Sequence, residues 1–252
     1  MERLVQELAP RSVLEKSTSV LRKKEGLQEV RAVLYGEAVE EVEVVENGLR
    51  YSVDLVEGQK TGLFLDQREM RSLVRSLSQG RRVLNCFAYT GGFSVAALAG
   101  GAAHVDSVEI SGRCGPRVDK NIALNGLPLE KHRFIQEDVF DFLKKAPLDY
   151  DLIILDPPAF VKKREDVPQA FRAYKELNRH VIANMSAHSL LLTCSCSYHV
   201  DEALFQNILF RASHESGRSV HILGKHRQAL DHPISVFHPE STYIKGFLLE
   251  TV

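Results

Sequence analysis

A doubly wound α/β fold on a mainly parallel sheet is the architecture this sequence predicts. Three observations lead to it. Short strand-like segments recur at Arg82–Phe87, Val105–Ile110, Arg133–Gln136, Leu152–Leu155, Leu190–Thr193, Ser219–Leu223 and Tyr243–Leu249, with helical stretches between them. That alternation gives βαβ units. The segments are largely apolar, as strands are when helices cover both faces of a sheet. A glycine-bearing turn, Tyr89-Thr90-Gly91-Gly92-Phe93, follows the first of them, where open α/β sheets place their ligands. A chain of 252 residues holds one such domain and a smaller appendage.

The elements can be justified in order. Residues 1–26 are charged without clear periodicity and are expected to be a helical or irregular lead-in. Val42–Glu46 and Arg50–Leu55 alternate apolar and polar around Asn47-Gly48, the strongest short hairpin signal. With Val30–Leu34 they predict a small antiparallel domain over residues 27–65. The large domain is then expected over 66–252. Asp66 is placed to cap its first helix, with Glu69 as capping-box partner and Met70, Leu73, Val74 and Leu77 on one face.

Composition removes several function classes. The chain is 44% hydrophobic and 26% charged, ordinary for a globular protein. No apolar run suits a membrane span, and the charged start does not read as a signal peptide. Four cysteines (Cys86, Cys114, Cys194, Cys196) without close Cys-x-x-Cys pairs predict neither a disulfide framework nor a metal site. A reducing cytoplasm is the expected setting. The net charge of −1 gives no global attraction to nucleic acid. Locally, Lys162-Lys163-Arg164 follows a strand-end loop and would meet an entering phosphate backbone with positive charge.

Residues that carry chemistry cluster at strand ends. Gly91 and Gly92 allow close backbone approach beside a helix N-terminus. Asn85, Phe87, Tyr89, Thr90 and Phe93 belong to the same strand and turn. Gly-x-Gly-x-x-Gly is absent, which argues against a dinucleotide enzyme. Glu109 ends the second strand, where a carboxylate can accept from ribose hydroxyls; Asp138 follows the third and suits an adenine edge; Asp156 follows the fourth. This is the layout of class I S-adenosylmethionine methyltransferases. The fifth strand runs into Thr193-Cys194-Ser195-Cys196-Ser197. Cysteine at such a place is most often a packed small hydrophobe. A strand that delivers a thiol to the sheet edge is also a carrier for a nucleophile. In an extended strand Cys194 and Cys196 share a face, so both are candidates. A thiol and a carboxylate on two edge-reaching strands suggest covalent chemistry on a flat heterocycle.

The motifs Gly58-Gln59-Lys60-Thr61-Gly62-Leu63-Phe64-Leu65-Asp66-Gln67-Arg68, Tyr89–Val95, Leu155-Asp156-Pro157-Pro158-Ala159-Phe160, Tyr174–Asn178, Ser195-Cys196-Ser197, Asp231-His232-Pro233 and Tyr243-Ile244-Lys245-Gly246 stand in one chain. With them the sequence resembles the bacterial 23S ribosomal RNA 5-methylcytosine methyltransferases over about residues 20–250. The resemblance implies a Rossmann-like domain with seven strands, the last antiparallel. It also implies an N-terminal RNA-binding module of PUA type, expected to be missing here.

For the site, the resemblance implies S-adenosylmethionine as methyl donor and Cys196 as the nucleophile that adds to cytosine C6. Asp156 would hold the base's N3/N4 edge, Pro157 and Pro158 would stiffen the loop, and Phe160 would stack on the flipped-out base. Gln67 and Arg68 would meet the methionine end of the cofactor or, equally, form a helix cap and a surface salt bridge. Lys162 and Lys163 would contact RNA; His232 and Lys245 are expected in RNA contact or loop structure. Two-cysteine relatives carry a second cysteine beside the aspartate; this chain has Pro157 there. The expected partner is ribosomal RNA, the expected state a monomer or homodimer. Rival readings are methylation of a base nitrogen through Asp156-Pro157-Pro158 and Phe160, and a cofactor-binding ribosome-assembly factor without turnover.

Overall fold

Apolar runs flanked by helical segments need cover on both faces, and the order of elements supplies it. The computed structural model describes residues 1–145, 147–161, 163–238 and 241–252. Its chain divides into two units, Met1–Val44 with Ser52–Leu63, and Val45–Tyr51 with Phe64–Val252.

The first unit contains α1 (Glu2–Leu8), β1 (Ser12–Ser17), α2 (Val20–Lys24) and β2 (Val30–Gly36), and part of the hairpin β3 (Glu41–Glu46) and β4 (Leu49–Asp54). β1 pairs antiparallel with β2, from Ser12↔Gly36 to Ser17↔Val30. This departs from the expected lead-in over 1–26 and from the expected pairing of Val30–Leu34 with the hairpin. β1 finds its partner across an intervening helix, so no local turn signal announces it. The hairpin forms where Asn47-Gly48 places it. Both residues have positive φ (50° and 78°), the requirement of a type I′ turn.

The hairpin tip, Val45–Tyr51, belongs to the second unit rather than to a 27–65 domain. Side-chain chemistry explains this. Arg71, on α3 (Arg68–Leu77), donates from Nε and Nη2 to the two carboxylate oxygens of Glu46 at 2.7 and 2.6 Å. The pair is buried on both sides, with 4% and 6% of its side chains exposed. Asn125 brackets the backbone of Arg50, accepting its N–H at 2.8 Å and donating to its carbonyl at 2.7 Å. Asp66 does not cap α3. It sits in a 3₁₀ turn, Leu65–Gln67, and accepts from the Tyr243 hydroxyl at 2.6 Å. That bond, made across 177 residues, outcompetes the local cap.

The remaining elements are β5 (Arg82–Cys86), α4 (Gly92–Ala99), β6 (His104–Glu109), α5 (Gly115–Leu124), β7 (His132–Gln136), α6 (Val139–Leu143), β8 (Leu152–Leu155), α7 (Val167–Asn184), β9 (Leu190–Ser195), α8 (Glu202–Ser216), β10 (Val220–His226) and β11 (Lys245–Thr251). One seven-stranded sheet has the order β10-β11-β9-β8-β5-β6-β7. Strands β9 through β7 run parallel, and β11 inserts antiparallel between β9 and β10. The Rossmann-like expectation, with its antiparallel last strand, is what the sheet shows. On one face Tyr174, Leu177 and Val181 of α7 and Phe205 and Ile208 of α8 pack with Leu84, Ile153, Leu191 and Phe247. Toward the other, α3, α4 and α5 bury Met70, Val74, Val95, Leu98, Val118 and Ile122. Among the described residues no helix is long and apolar enough to cross a membrane.

Candidate active site

The parallel strands β5, β6, β8 and β9 end at one edge, and the loops leaving them carry the chemistry. The loop after β5 is unusual in its backbone. Phe87, Tyr89 and Gly91 all have positive φ (59°, 48° and 79°), sparsely populated conformations that persist only where surroundings over-determine them. Gly91 is buried, and a Cβ there would lie 2.7 Å from a Val118 methyl. It stands at the N-cap of α4 with no side chain capping the helix, so first-turn N–H groups face the loop. Gly91→Ala is expected to cost about 1–2 kcal/mol for the left-handed backbone and about 1–3 kcal/mol for overpacking. It should lower both Tm and affinity for the methyl donor, measured by thermal melting with and without ligand.

Glu109, at the end of β6, is held by two backbone donors: Tyr89 N–H to Oε2 at 3.2 Å and Ser111 N–H to Oε1 at 3.0 Å. Asp138 caps α6, its Oδ1 accepting from the N–H groups of Phe140 at 2.8 Å and Asp141 at 3.3 Å. Uncapped N–H groups and a fixed carboxylate at the next strand end suit a ligand with an anionic end and vicinal hydroxyls.

Asn85, only 1% exposed, turns away from this edge. Its Nδ2 donates to Ser94 Oγ at 2.8 Å, and the chain continues through Ser107 to His132. Its expected ligand contact is therefore corrected to a buried polar network beneath α4. Thr90 and Phe93 are likewise buried, and the Thr90 carbonyl accepts from Asn121 at 2.9 Å.

Asp156 and Cys196 come together through strand register. Parallel pairing sets Leu155 beside Thr193, so the residues just beyond each strand share the edge. The Cys196 thiol donates toward the Pro157 carbonyl at 3.8 Å. Asp156 Oδ2 accepts from Gln67 Nε2 at 2.8 Å. The two cysteines part company. Cys194 is buried with its sulfur 3.6 Å from Met70 Sδ, and burial pushes its thiol well up. Cys196, past the last residue of β9, is partly exposed.

Other expected contacts need revision. Gln67 is engaged with Asp156. Arg68 pairs with Asp231 at 2.6 Å, and His232 Nδ1 lies 3.0 Å from the same carboxylate. Phe160, expected to stack on a base, lies between Phe140 and Tyr174 with ring centroids 6.0 and 4.7 Å away. It belongs to an aromatic ladder running from Phe87 through Phe205 to Phe247. Core packing claims the ring. Pro157 is buried and Pro158 exposed. Lys163 is exposed and bonded to Glu165 at 3.0 Å, while Lys162 lies outside the described residues.

Two groups beside the thiol carry more than the sequence suggested. Tyr174 OH lies 2.9 Å from Ser197 Oγ, and Lys245 Nζ donates to the Ser197 carbonyl at 2.7 Å. The signal was present: one lysine opens the otherwise apolar Lys245-Gly246-Phe247-Leu248-Leu249.

Known proteins share this layout. The chain is 40% identical over 254 residues to ribosomal RNA large subunit methyltransferase I of Tolumonas auensis, covering 98% of this chain and 64% of that protein. The same-named protein of Aeromonas salmonicida is 40% identical over 242 residues, covering 94% and 61%. The chain thus spans less than two thirds of the length of these curated relatives. A Streptococcus mutans protein assigned as a SAM-dependent methyltransferase superposes with a TM-score of 0.79 at 32% identity, over 88% of this chain and 58% of that one. A second solved methyltransferase, complexed with SAH, gives 0.78 at 32% identity, over 88% and 59%. The family model for S-adenosylmethionine-dependent methyltransferases matches residues 11–236. A helix N-terminus at a glycine turn, a backbone-held carboxylate on the next strand and a match across nearly the whole chain agree: this protein belongs to the S-adenosylmethionine-dependent methyltransferase family.

Proposed function

We propose that this protein methylates C5 of a cytosine in large-subunit ribosomal RNA, with Cys196 as covalent nucleophile. The observation that carries the reading is the meeting of the Cys196 thiol with the Asp156-Pro157 turn at one sheet edge. The names of the relatives at 40% identity support ribosomal RNA as substrate, and the SAH held by the second solved methyltransferase supports the cofactor. A cytoplasmic setting suits a reactive free thiol.

Gly91, Gly92, Tyr89, Glu109 and Asp138 would hold S-adenosylmethionine. When bound, that molecule supplies an electrophilic methyl group. The protein's task is to make cytosine C5 nucleophilic. The Cys196 thiolate forms an S–C6 bond, and the C5=C6 π pair moves toward C5 and is delocalised into the ring. Asp156, oriented by Gln67, holds the N3/N4 edge; N3 takes a proton from solvent as the adduct forms, Asp156 balances the resulting charge, and N3 returns that proton to solvent as the thiolate leaves. That pair at C5 would accept the methyl group, the methyl–sulfur bond breaking with its electrons left on the donor's sulfur. Loss of the C5 proton to solvent base restores C5=C6 as the C6–S bond breaks, returning the thiolate. Lys163, exposed on the loop that follows the Asp156-Pro157 turn, would meet the RNA backbone with positive charge.

The test uses ribosomal RNA transcribed with 5-fluorocytosine. Fluorine at C5 cannot leave as the proton does, so the thioether persists. A denaturant-stable protein–RNA adduct that requires the methyl donor and maps to Cys196 is expected. Methylated RNA with no adduct, its label on a base nitrogen, would overturn the reading.

A further inference from the structure

We infer that Lys245 is a positioning residue that acts through Cys196, holding its thiol as thiolate in the resting enzyme. The inference rests on the covalent reading above, because only a nucleophilic cysteine needs such a device. An ordinary cysteine is a few per cent thiolate at neutral pH. Asp156, brought to the same sheet edge by strand register, repels a second negative charge. Something cationic must offset both.

Lys245 begins β11, opposite Ser195 in the antiparallel pairing with β9. Its residue is 4% exposed. Its ammonium donates to two main-chain carbonyls, Ser197 at 2.7 Å and Tyr243 at 2.9 Å. The first belongs to the residue that follows Cys196. Among the described residues, no carboxylate forms an ion pair with it. A buried ammonium without a counter-ion is costly, and carbonyl dipoles compensate only in part. Cys196 is the adjacent group that can become an anion during the reaction.

The other titratable neighbours do not fill that role. Tyr174, from α7, is pushed up to about 12 by burial. Tyr243 is held up by burial and its bond to the Asp66 carboxylate. Cys194 is held up by burial. Asp201 caps α8, accepting from Leu204 N–H at 2.7 Å, and, among the described residues, makes no ion pair with Lys245; its charge acts on the ammonium less than that of Cys196. Burial lowers Lys245 to about 8, while charge on Cys196 and Asp201 favours its protonated form. The ammonium therefore persists at neutral pH, and it is strengthened when the thiolate forms. The coupling is reciprocal.

The same contacts give Lys245 a second consequence for geometry. By gripping the Ser197 carbonyl it fixes the turn beyond β9, while Tyr174 OH and Ser197 Oγ meet at 2.9 Å from the other side. Cys196 is thus followed by a residue anchored from two sides.

The experiment reads the thiol directly. Alkylation of Cys196 by iodoacetamide is followed against pH by mass spectrometry of its peptide, in the native protein and in Lys245→Met and Lys245→Arg. In Lys245→Met the midpoint should rise by roughly one to two pH units, with alkylation at pH 7 about tenfold slower or more. Lys245→Arg, which keeps the charge, should restore most of the rate. An unchanged profile in a folded Lys245→Met protein would overturn the inference. Should that variant not fold, the native protein decides. Its thiolate absorbance near 240 nm, as a difference against Cys196→Ala, should titrate below the ordinary cysteine value of about 8.5; a midpoint at or above it overturns the inference. Failure of the covalent reading appears elsewhere, as methylation that survives Cys196→Ala, whatever the alkylation profile.

Discussion

Cys196→Ala will abolish methyl transfer, by roughly a thousandfold or more, while Tm and affinity for the methyl donor stay close to those of the native protein. The sulfur is partly exposed beyond the end of β9 and reaches the Pro157 carbonyl at 3.8 Å. Its removal therefore takes chemistry and little packing. Cys194→Ala is the control. That sulfur sits 3.6 Å from Met70 Sδ in the core, so its loss leaves a small void costing about 1 kcal/mol and leaves transfer largely intact. Tritiated methyl incorporation into ribosomal RNA, paired with thermal melts of both variants, checks the contrast. Equal activity losses in both, or retained activity in Cys196→Ala, would remove Cys196 from the nucleophile's role.

Arg71→Met will give a large stability loss, about 3–5 kcal/mol. The variant leaves the Glu46 carboxylate buried without its two hydrogen bonds of 2.7 and 2.6 Å. For a chain of this length the shift corresponds to a fall in Tm of roughly 10 °C. The double variant Arg71→Met, Glu46→Leu should recover much of it, because replacing both charges by apolar groups of similar shape removes the orphan. Thermal unfolding of the three proteins is the measurement. A double variant no more stable than Arg71→Met would mean that packing, and not the unpaired carboxylate, set the loss.

Several features were legible because local chemistry determines them. Asn47-Gly48 specified a turn whose positive φ values few other dipeptides accept. Apolar strands separated by helices specified a mainly parallel sheet, and all seven strands lie in one sheet in which β11 runs antiparallel to its neighbours. Strand ends carrying Glu109, Asp156 and Cys196 followed from that order alone. Other features depended on partners far along the chain. Asp66 has the sequence context of a helix cap, yet its oxygen belongs to Tyr243. Asn85 has the position of a ligand contact, yet its amide serves Ser94. Phe160 follows a substrate-loop motif, yet its ring completes a ladder with Phe140 and Tyr174. Gln67 and Arg68 read equally as cofactor contacts or as a helix cap and a surface salt bridge, and the Arg68–Asp231 pair is a salt bridge of that kind. Asp66, Asn85 and Phe160 each reach inward to a neighbour that pattern and spacing do not name.

The hairpin tip carries a consequence for how the protein can be divided. The larger unit is discontinuous in sequence, because Val45–Tyr51 belongs to it while the residues on either side do not. A fragment starting at Asp66 would contain every strand of the sheet and every strand-end group of the site, and would look complete. It would also carry Arg71 without its counter-charge and Asn125 without the Arg50 backbone it brackets. The part of the chain that resembles an accessory thus supplies a piece of the catalytic fold's interior. Insertions, fusions and truncations are better placed ahead of Glu41 than between the hairpin and α3.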